Sequence, residues 1–128
     1  MDSEQVQADL FDAKCPSRQV LDRIGDRWSV LVVSTLAEGT LRHGEIAGRI
    51  GGITPKMLTQ TLRGLERDGL ARRTVYAEVP PRVEYALTDL GRDLVGLVRQ
   101  LTRWAEVHIP DVEAARADYD ARPTASRK

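Results

Sequence analysis

The chain has 128 residues but a single cysteine, two histidines and 5% aromatics, and each scarcity excludes something. One cysteine cannot close an intramolecular disulfide. His43 and His108 have no cysteine or acid at ligand spacing, so no metal site is expected. Two histidines also leave little acid-base capacity. With no Ser/His/Asp set, no phosphate-cradling glycine loop and no paired carboxylates, neither an enzyme nor a cofactor is expected. Long apolar runs are missing as well. The stretch LVVSTLA from Leu31 falls short of the roughly 18–20 residues of a membrane span, and the acidic start MDSEQVQADLFD resembles neither a signal nor a transit peptide. A cytoplasmic protein with no membrane partner is the expectation.

An excess of charge is lacking too, since 19 Lys and Arg balance 19 Asp and Glu. Taken as a sum, that balance argues against a nucleic-acid partner. The distribution reverses the inference. From Arg42 to Arg82 there are eight basic residues (Arg42, Arg49, Lys56, Arg63, Arg67, Arg72, Arg73, Arg82) against four acids (Glu45, Glu66, Asp68, Glu78). Residues 1–14 and 106–120 are acidic. Such segregation suits a basic face that meets phosphates while the acidic ends lie elsewhere.

What the chain does contain is 41% hydrophobic residues, enough for one modest core. The clearest pattern is GGITPKMLTQTLRGLERDGL, residues 51–70. Thr54 is placed to cap a helix, Pro55 stands at its first position, and Gly69 ends it. Leu58, Leu62 and Leu65 share one face, whereas Lys56, Thr59, Gln60, Arg63 and Arg67 fall on the opposite arc. Upstream, Ile46, Ala47 and Ile50 have helical spacing and Gly51-Gly52 makes a tight turn, so a helix-turn-helix is predicted. Downstream, ARRTVYAEV and RVEYAL alternate as two short strands, with Pro80-Pro81-Arg82 as a stiff tip presenting one guanidinium.

Other elements flank this group. Pro16 to Ile24 and Arg27 to Ala37 read as helices, the second apolar nearly all round and therefore buried. Thr88 caps a long helix from Asp89 to about His108, with Leu90, Leu94, Leu97, Val98, Leu101, Trp104 and Ala105 on one face and Pro110 as its stop. That apolar face exceeds what one small module covers, which predicts a homodimer. The expected fold is mainly α with a small β-hairpin (α+β), a winged helix-turn-helix with flanking dimerisation helices. Its divisions are 1–14, an N-terminal arm or short helix with Val6, Leu10 and Phe11 at helical intervals; 15–108, the winged domain with its dimerisation helix; and 109–128, a short acidic helix over Val112 to Tyr119 and a disordered tail.

Five ordered motifs carry a family resemblance: Cys15-Pro16, Gly25-Asp26-Arg27-Trp28, Ile53-Thr54-Pro55-Lys56-Met57-Leu58, Pro80-Pro81-Arg82-Val83-Glu84-Tyr85 and Leu87-Thr88-Asp89-Leu90-Gly91. Over about residues 15–104 the chain resembles the HxlR-type winged-helix transcription regulators of bacteria, relatives of the MarR regulators. One segment departs from that pattern. The family usually has an aromatic with Asn or a Gly-Glu pair near the start of the first motif helix, where this chain has Arg42-His43-Gly44-Glu45, and the packing beneath that helix is expected to differ. The resemblance implies a homodimer in which the N-terminal and last long helices pair about a two-fold axis. A symmetric pair would read an inverted-repeat operator in double-stranded DNA. A repressor is the expected form, nucleoid-associated.

The DNA-binding candidates are Thr54, Lys56, Met57, Thr59, Gln60, Arg63, Arg72 and Arg82. Gln60 has the geometry for an adenine, Arg63 or Lys56 for a guanine or a phosphate, and Arg82 for the wing, with Arg72, Arg73 and Arg42 as phosphate partners and Thr54 chiefly a cap. Cys15 keeps two readings. Pro16 opens a helix behind it and Lys14 and Arg18 are near, which favours a reactive thiolate, and the resemblance implies a sensor of oxidants or electrophiles at this place; a lone cysteine is also commonly a small buried apolar residue. Trp28, Trp104 and Tyr85 are core aromatics or the lining of a small-ligand site at the dimer interface. The expected signal is either chemistry at Cys15 or such a ligand. The competing class is a winged helix that binds a protein instead of DNA, against which the Lys56, Gln60, Arg63 and Arg82 pattern stands.

Overall fold

The computed structural model describes residues 9–126. Its elements are α1 (Pro16–Gly25), α2 (Arg27–Leu36), α3 (His43–Arg49), α4 (Pro55–Arg67), β1 (Ala71–Tyr76), β2 (Arg82–Leu87), α5 (Asp89–Asp120) and a 3-10 turn (Thr124–Ser126). The chain divides into two compact units between Val95 and Gly96.

Local chemistry sets most of the boundaries in the first unit. Asp26 begins α2, and its carboxylate accepts from the Ser29 backbone N–H at 3.3 Å and from Ser29 Oγ at 3.0 Å. One side chain thus caps a helix and satisfies a buried hydroxyl. At α3 the Arg42 backbone N–H donates to Glu45 Oε1 at 2.8 Å, so the departing Arg42-His43-Gly44-Glu45 segment supplies one half of a capping box, a guanidinium having no acceptor for the other. Thr54 caps α4, accepting from the Met57 N–H at 3.1 Å, and Pro55 follows it. Gly69 ends the helix at φ +75, and the Leu70 N–H returns to the Leu65 carbonyl at 2.8 Å. That left-handed residue is where a side chain would be strained.

Helix α2 is the spine of this unit, touching α1, α3, α4 and β2. Val32, Val33 and Leu36 from α2 share a core with Ile46 of α3 and Ile50 at its C-cap, Leu58, Leu62 and Leu65 from α4, and Leu41, Leu70, Ala71 and Leu87 around the hairpin, all buried. Each large side chain here contributes about 1.5–3 kcal/mol by leaving water. The strands pair antiparallel, from Ala71 opposite Leu87 to Tyr76 opposite Arg82. Leu41 adds a bridge to Tyr85 that the sequence reading did not anticipate, with N–H···O distances of 3.0 and 2.8 Å. Gly91, at the start of α5, lies so close to Leu70 that a Cβ there would overlap the Leu70 carbonyl and stand 3.1 Å from Leu87 Cδ2.

Two expectations are corrected. The long helix was expected to stop at Pro110 and a separate acidic helix to begin at Val112, but α5 is one helix through Pro110 to Asp120. An interior proline costs roughly 3 kcal/mol because it loses one N–H and crowds the carbonyl four residues back. Here that carbonyl belongs to exposed Glu106, where water can solvate it, and the following stretch Ala114-Ala115-Arg116-Ala117 strongly favours helix. In the stretch read as a disordered tail, Thr124–Ser126 forms a 3-10 turn. Residues 9–14 make turns, with Asp12 and Cys15 N–H groups bonded to Asp9 and Asp12 carbonyls. Val6 of the expected N-terminal helix lies outside the described residues.

Large apolar side chains remain exposed in both units. Phe11, Val20 and Leu21 are uncovered in the first, and Leu97, Leu101, Trp104 (60% exposed) and Val107 in the second. Val98 differs from its neighbours in being buried. Among the described residues no helix is long and apolar enough to cross a membrane.

Candidate nucleic-acid interface

The turn between α3 and α4 works because Gly52 takes φ +83, and it sets α3 across α4 with Ile46 and Leu58 buried between them and the spine. Burial of Leu58, Leu62 and Leu65 forces the opposite arc of α4 outward. Lys56, Gln60 and Arg63 are all exposed there, while Thr59 and Met57 are half-buried. The Met57 backbone is fully engaged, its N–H by Thr54 and its carbonyl by Thr61 Oγ1 at 2.8 Å. Thr54 is exposed and occupied as a cap.

A cleft separates α4 from the hairpin. Thr59, Arg63, Glu66, Arg73 and Tyr85 line this space of about 390 Å³. Arg73 pairs with Tyr85 in the sheet register, and neighbouring Arg72, opposite Ala86, projects from the other face by strand alternation. Both arginines are exposed. His43, given no binding role by the sequence, lies with Nε2 3.1 Å from Thr59 Oγ1 and so ties the start of α3 to the outer arc of α4. Nothing in the local sequence announces that contact, because sixteen residues separate the pair. Arg42 is exposed beside it.

Arg82 is not a free cation at the hairpin tip. It opens β2, folds over Tyr76, and pairs with Glu78 at 3.1 Å and Glu84 at 3.2 Å, leaving the side chain 30% exposed. Its Nε is buried with no hydrogen-bond partner among the described residues. The tip itself consists of exposed Val79, Pro80 and Pro81. The basic residues brought together at the cleft are Arg63 and Arg73, with Thr59 and Glu66 in the same lining, while Lys56 and Gln60 stand exposed on the outer arc of α4.

The other candidates are dispersed. Cys15 is 9% exposed, at the N-cap position of α1. Trp28 is half-buried beneath the Arg27 guanidinium at 4.6 Å, whereas Trp104 stacks on His108 with centroids 4.5 Å apart. Tyr85 belongs to the cleft.

A helix-turn-helix with a cationic outer arc, followed at once by a β-hairpin, is the architecture of a DNA-binding regulator, and comparison with known proteins agrees. The model of the HxlR-like helix-turn-helix family matches residues 23–113. An HTH-type transcriptional regulator of Escherichia coli, YtfH, is 44% identical over 120 residues, covering 93% of this chain and 95% of that protein. The solved structure of the transcriptional regulator ytfH from Salmonella typhimurium superposes with a TM-score of 0.80 at 42% identity, covering 87% of this chain and 99% of the other. The redox regulator HypR in its reduced form superposes with a TM-score of 0.71 at 39% identity, covering 77% and 98%. The two YtfH relatives are regulators of transcription, not enzymes. The chain belongs to the HxlR-like helix-turn-helix family of transcriptional regulators.

Proposed function

We propose that the protein acts as a homodimer that reads an inverted-repeat operator and represses by occupying it. The observation that carries this reading is the surface on which Lys56, Gln60 and Arg63 of α4 stand exposed, with Arg73 across the cleft. Helix α4 enters the major groove, Gln60 reads a base edge, and Arg63 with Lys56 takes a guanine or a phosphate. Arg73, Arg72 and Arg42 serve flanking phosphates, and Thr54 and Met57 border the groove. Arg82 serves the wing from within, by holding its tip.

Dimerisation would cover the exposed apolar side chains of α1 and α5, which are too large and numerous for scattered surface residues. Two copies of α4 then fall in successive grooves, about 34 Å apart. The signal acts at Cys15 or through a small ligand at the dimer interface. The similar protein HypR, a redox regulator solved in reduced and oxidised forms, supports the first route. In that route two Cys15 thiols, one from each protomer, give two electrons and two protons to hydrogen peroxide, which leaves as two waters, and a disulfide joins the protomers. The cell compartment that goes with this reading is the cytoplasm, at the nucleoid.

The test is selection of bound duplexes from a random pool, then titration against salt with wild type and Cys15→Ser, before and after peroxide or diamide. Binding of a palindromic duplex that weakens steeply with salt supports the reading. A wild type that shifts no duplex at low salt ends it, and identical release of wild type and Cys15→Ser after oxidation removes the thiol route in favour of a ligand.

A further inference from the structure

Arg23 stands in the last turn of α1, and its guanidinium reaches α4. Nε donates to Asp68 Oδ2 at 2.9 Å, with the two side chains 29% and 26% exposed. To get there the side chain lies against α4 at Gly64. A Cβ built on Gly64 would stand 2.5 Å from Arg23 Cζ and 2.7 Å from Nη2, so the guanidinium occupies a notch that exists because residue 64 has no side chain.

Each member of this trio is unfavourable where it stands if considered by itself. Gly64 lies inside α4 without a positive φ, a position where alanine would favour the helix. Asp68 is the C-cap of α4, where a carboxylate faces the negative end of the helix dipole. Arg23 gives up much of its hydration and rotamer freedom. Together the conflicts resolve, because the guanidinium fills the notch, neutralises Asp68 and brings positive charge to the carbonyl end of α4. Helix α1 otherwise packs chiefly on α2. Among the described residues, Arg23 with Asp68 is the hydrogen-bonded pair that joins α1 to α4.

We propose that Arg23 is a positioning residue for α4: seated in the Gly64 notch and tied to Asp68, it fixes the recognition helix against α1, so that a movement of α1 is passed to the DNA-facing arc. This rests on the reading of α4 as the helix that enters DNA. The pair lies at the opposite end of α4 from Lys56 and outside the residues assigned to base or phosphate contact, so its effect is on orientation and not on charge at the interface.

The test has two readouts. Without DNA, amide exchange of residues 63–68 is expected to quicken about tenfold or more in Arg23→Ala, because local opening of the last turn loses its tether. Unchanged exchange there overturns the tether whatever the protein does with DNA. With DNA, Arg23→Ala and Gly64→Ala are each expected to weaken binding of the selected duplex about tenfold while an unrelated duplex changes by less than about twofold. Gly64→Ala is the decisive variant. Alanine pushes aside the flexible end of Arg23 and favours the helix, so its urea midpoint stays or rises while selectivity falls, a combination that simple damage to the fold does not produce. Wild-type selectivity in Gly64→Ala overturns the positioning role. Arg23→Asp and Asp68→Arg are expected to lose selectivity singly and regain most of it together. A wild type that shifts no duplex sinks the DNA reading alone, since the exchange result still decides the tether.

Discussion

Arg82 and Tyr76 face each other across the hairpin, and the guanidinium carbon lies 3.9 Å from the ring centroid. Glu78 and Glu84 hold the same guanidinium from the side. The wing is thus closed by a cation whose charge is already matched twice within the protein. Arg82→Ala is expected to lower stability by about 1–2 kcal/mol, combining a partly desolvated cation–π contact with two weak ion pairs. Urea denaturation measures it. In DNA titrations the same variant should leave the salt slope nearly unchanged, and a loss of about 0.9 in slope would show instead that Arg82 meets a phosphate.

Arg63 and Gln60 stand on the same arc of α4 but are expected to fail differently. Arg63→Ala should weaken binding to every duplex and reduce the salt slope by about 0.9 if its partner is a phosphate. Gln60→Ala should cost about 1–3 kcal/mol on the preferred duplex and relax choice at one base pair. Binding to a panel of single-base variants separates the two.

Gly91 and Gly96 both lie in α5, yet alanine should act on them with opposite sign. At Gly91 the added methyl runs into the Leu70 carbonyl, which cannot move without moving the backbone, and a loss of about 1–3 kcal/mol is expected. Gly96 has nothing within 4 Å of such a methyl, so Gly96→Ala should gain up to about 1 kcal/mol from helix propensity. Paired urea midpoints check the contrast.

Asp26 holds both the backbone and the hydroxyl of Ser29, which is buried. Asp26→Ala removes a cap and strands that hydroxyl, for an expected loss of about 1–3 kcal/mol. Restoring half or more of it with Ser29→Ala in the same chain would show that the stranded hydroxyl carries the larger share.

Leu101 and Trp104 are exposed along α5. If they face a second copy, Leu101→Glu with Trp104→Glu should yield a monomer by sedimentation at micromolar concentration and abolish binding to a two-half-site duplex. A double variant that remains dimeric would place the interface elsewhere.

Residue order alone determined the elements and nearly all their ends, because Asp26, Thr54, Pro55, Gly69 and Thr88 act on backbone groups a few residues away, through caps and steric limits that need no distant partner. The outward arc of α4 was legible for the same reason, since leucines at helical spacing leave the other side to solvent. Proline as a stop is a local rule that misled. At Pro110 an exposed carbonyl and an alanine-rich continuation outweigh it. What tertiary structure decided are the meetings between residues distant in the chain: His43 with Thr59, Leu41 with Tyr85, Arg73 facing α4 across the cleft, and Arg23 lying in the Gly64 notch against Asp68. Arg82 belongs with these, since a guanidinium at a strand end can reach water, a phosphate or its own neighbours, and the choice depends on where the hairpin sets Tyr76, Glu78 and Glu84. Caps and periodicities are short-range and repeat wherever their pattern occurs, whereas the partner of a long polar side chain is fixed when packing of the core brings separate helices and strands to within a few ångströms of one another.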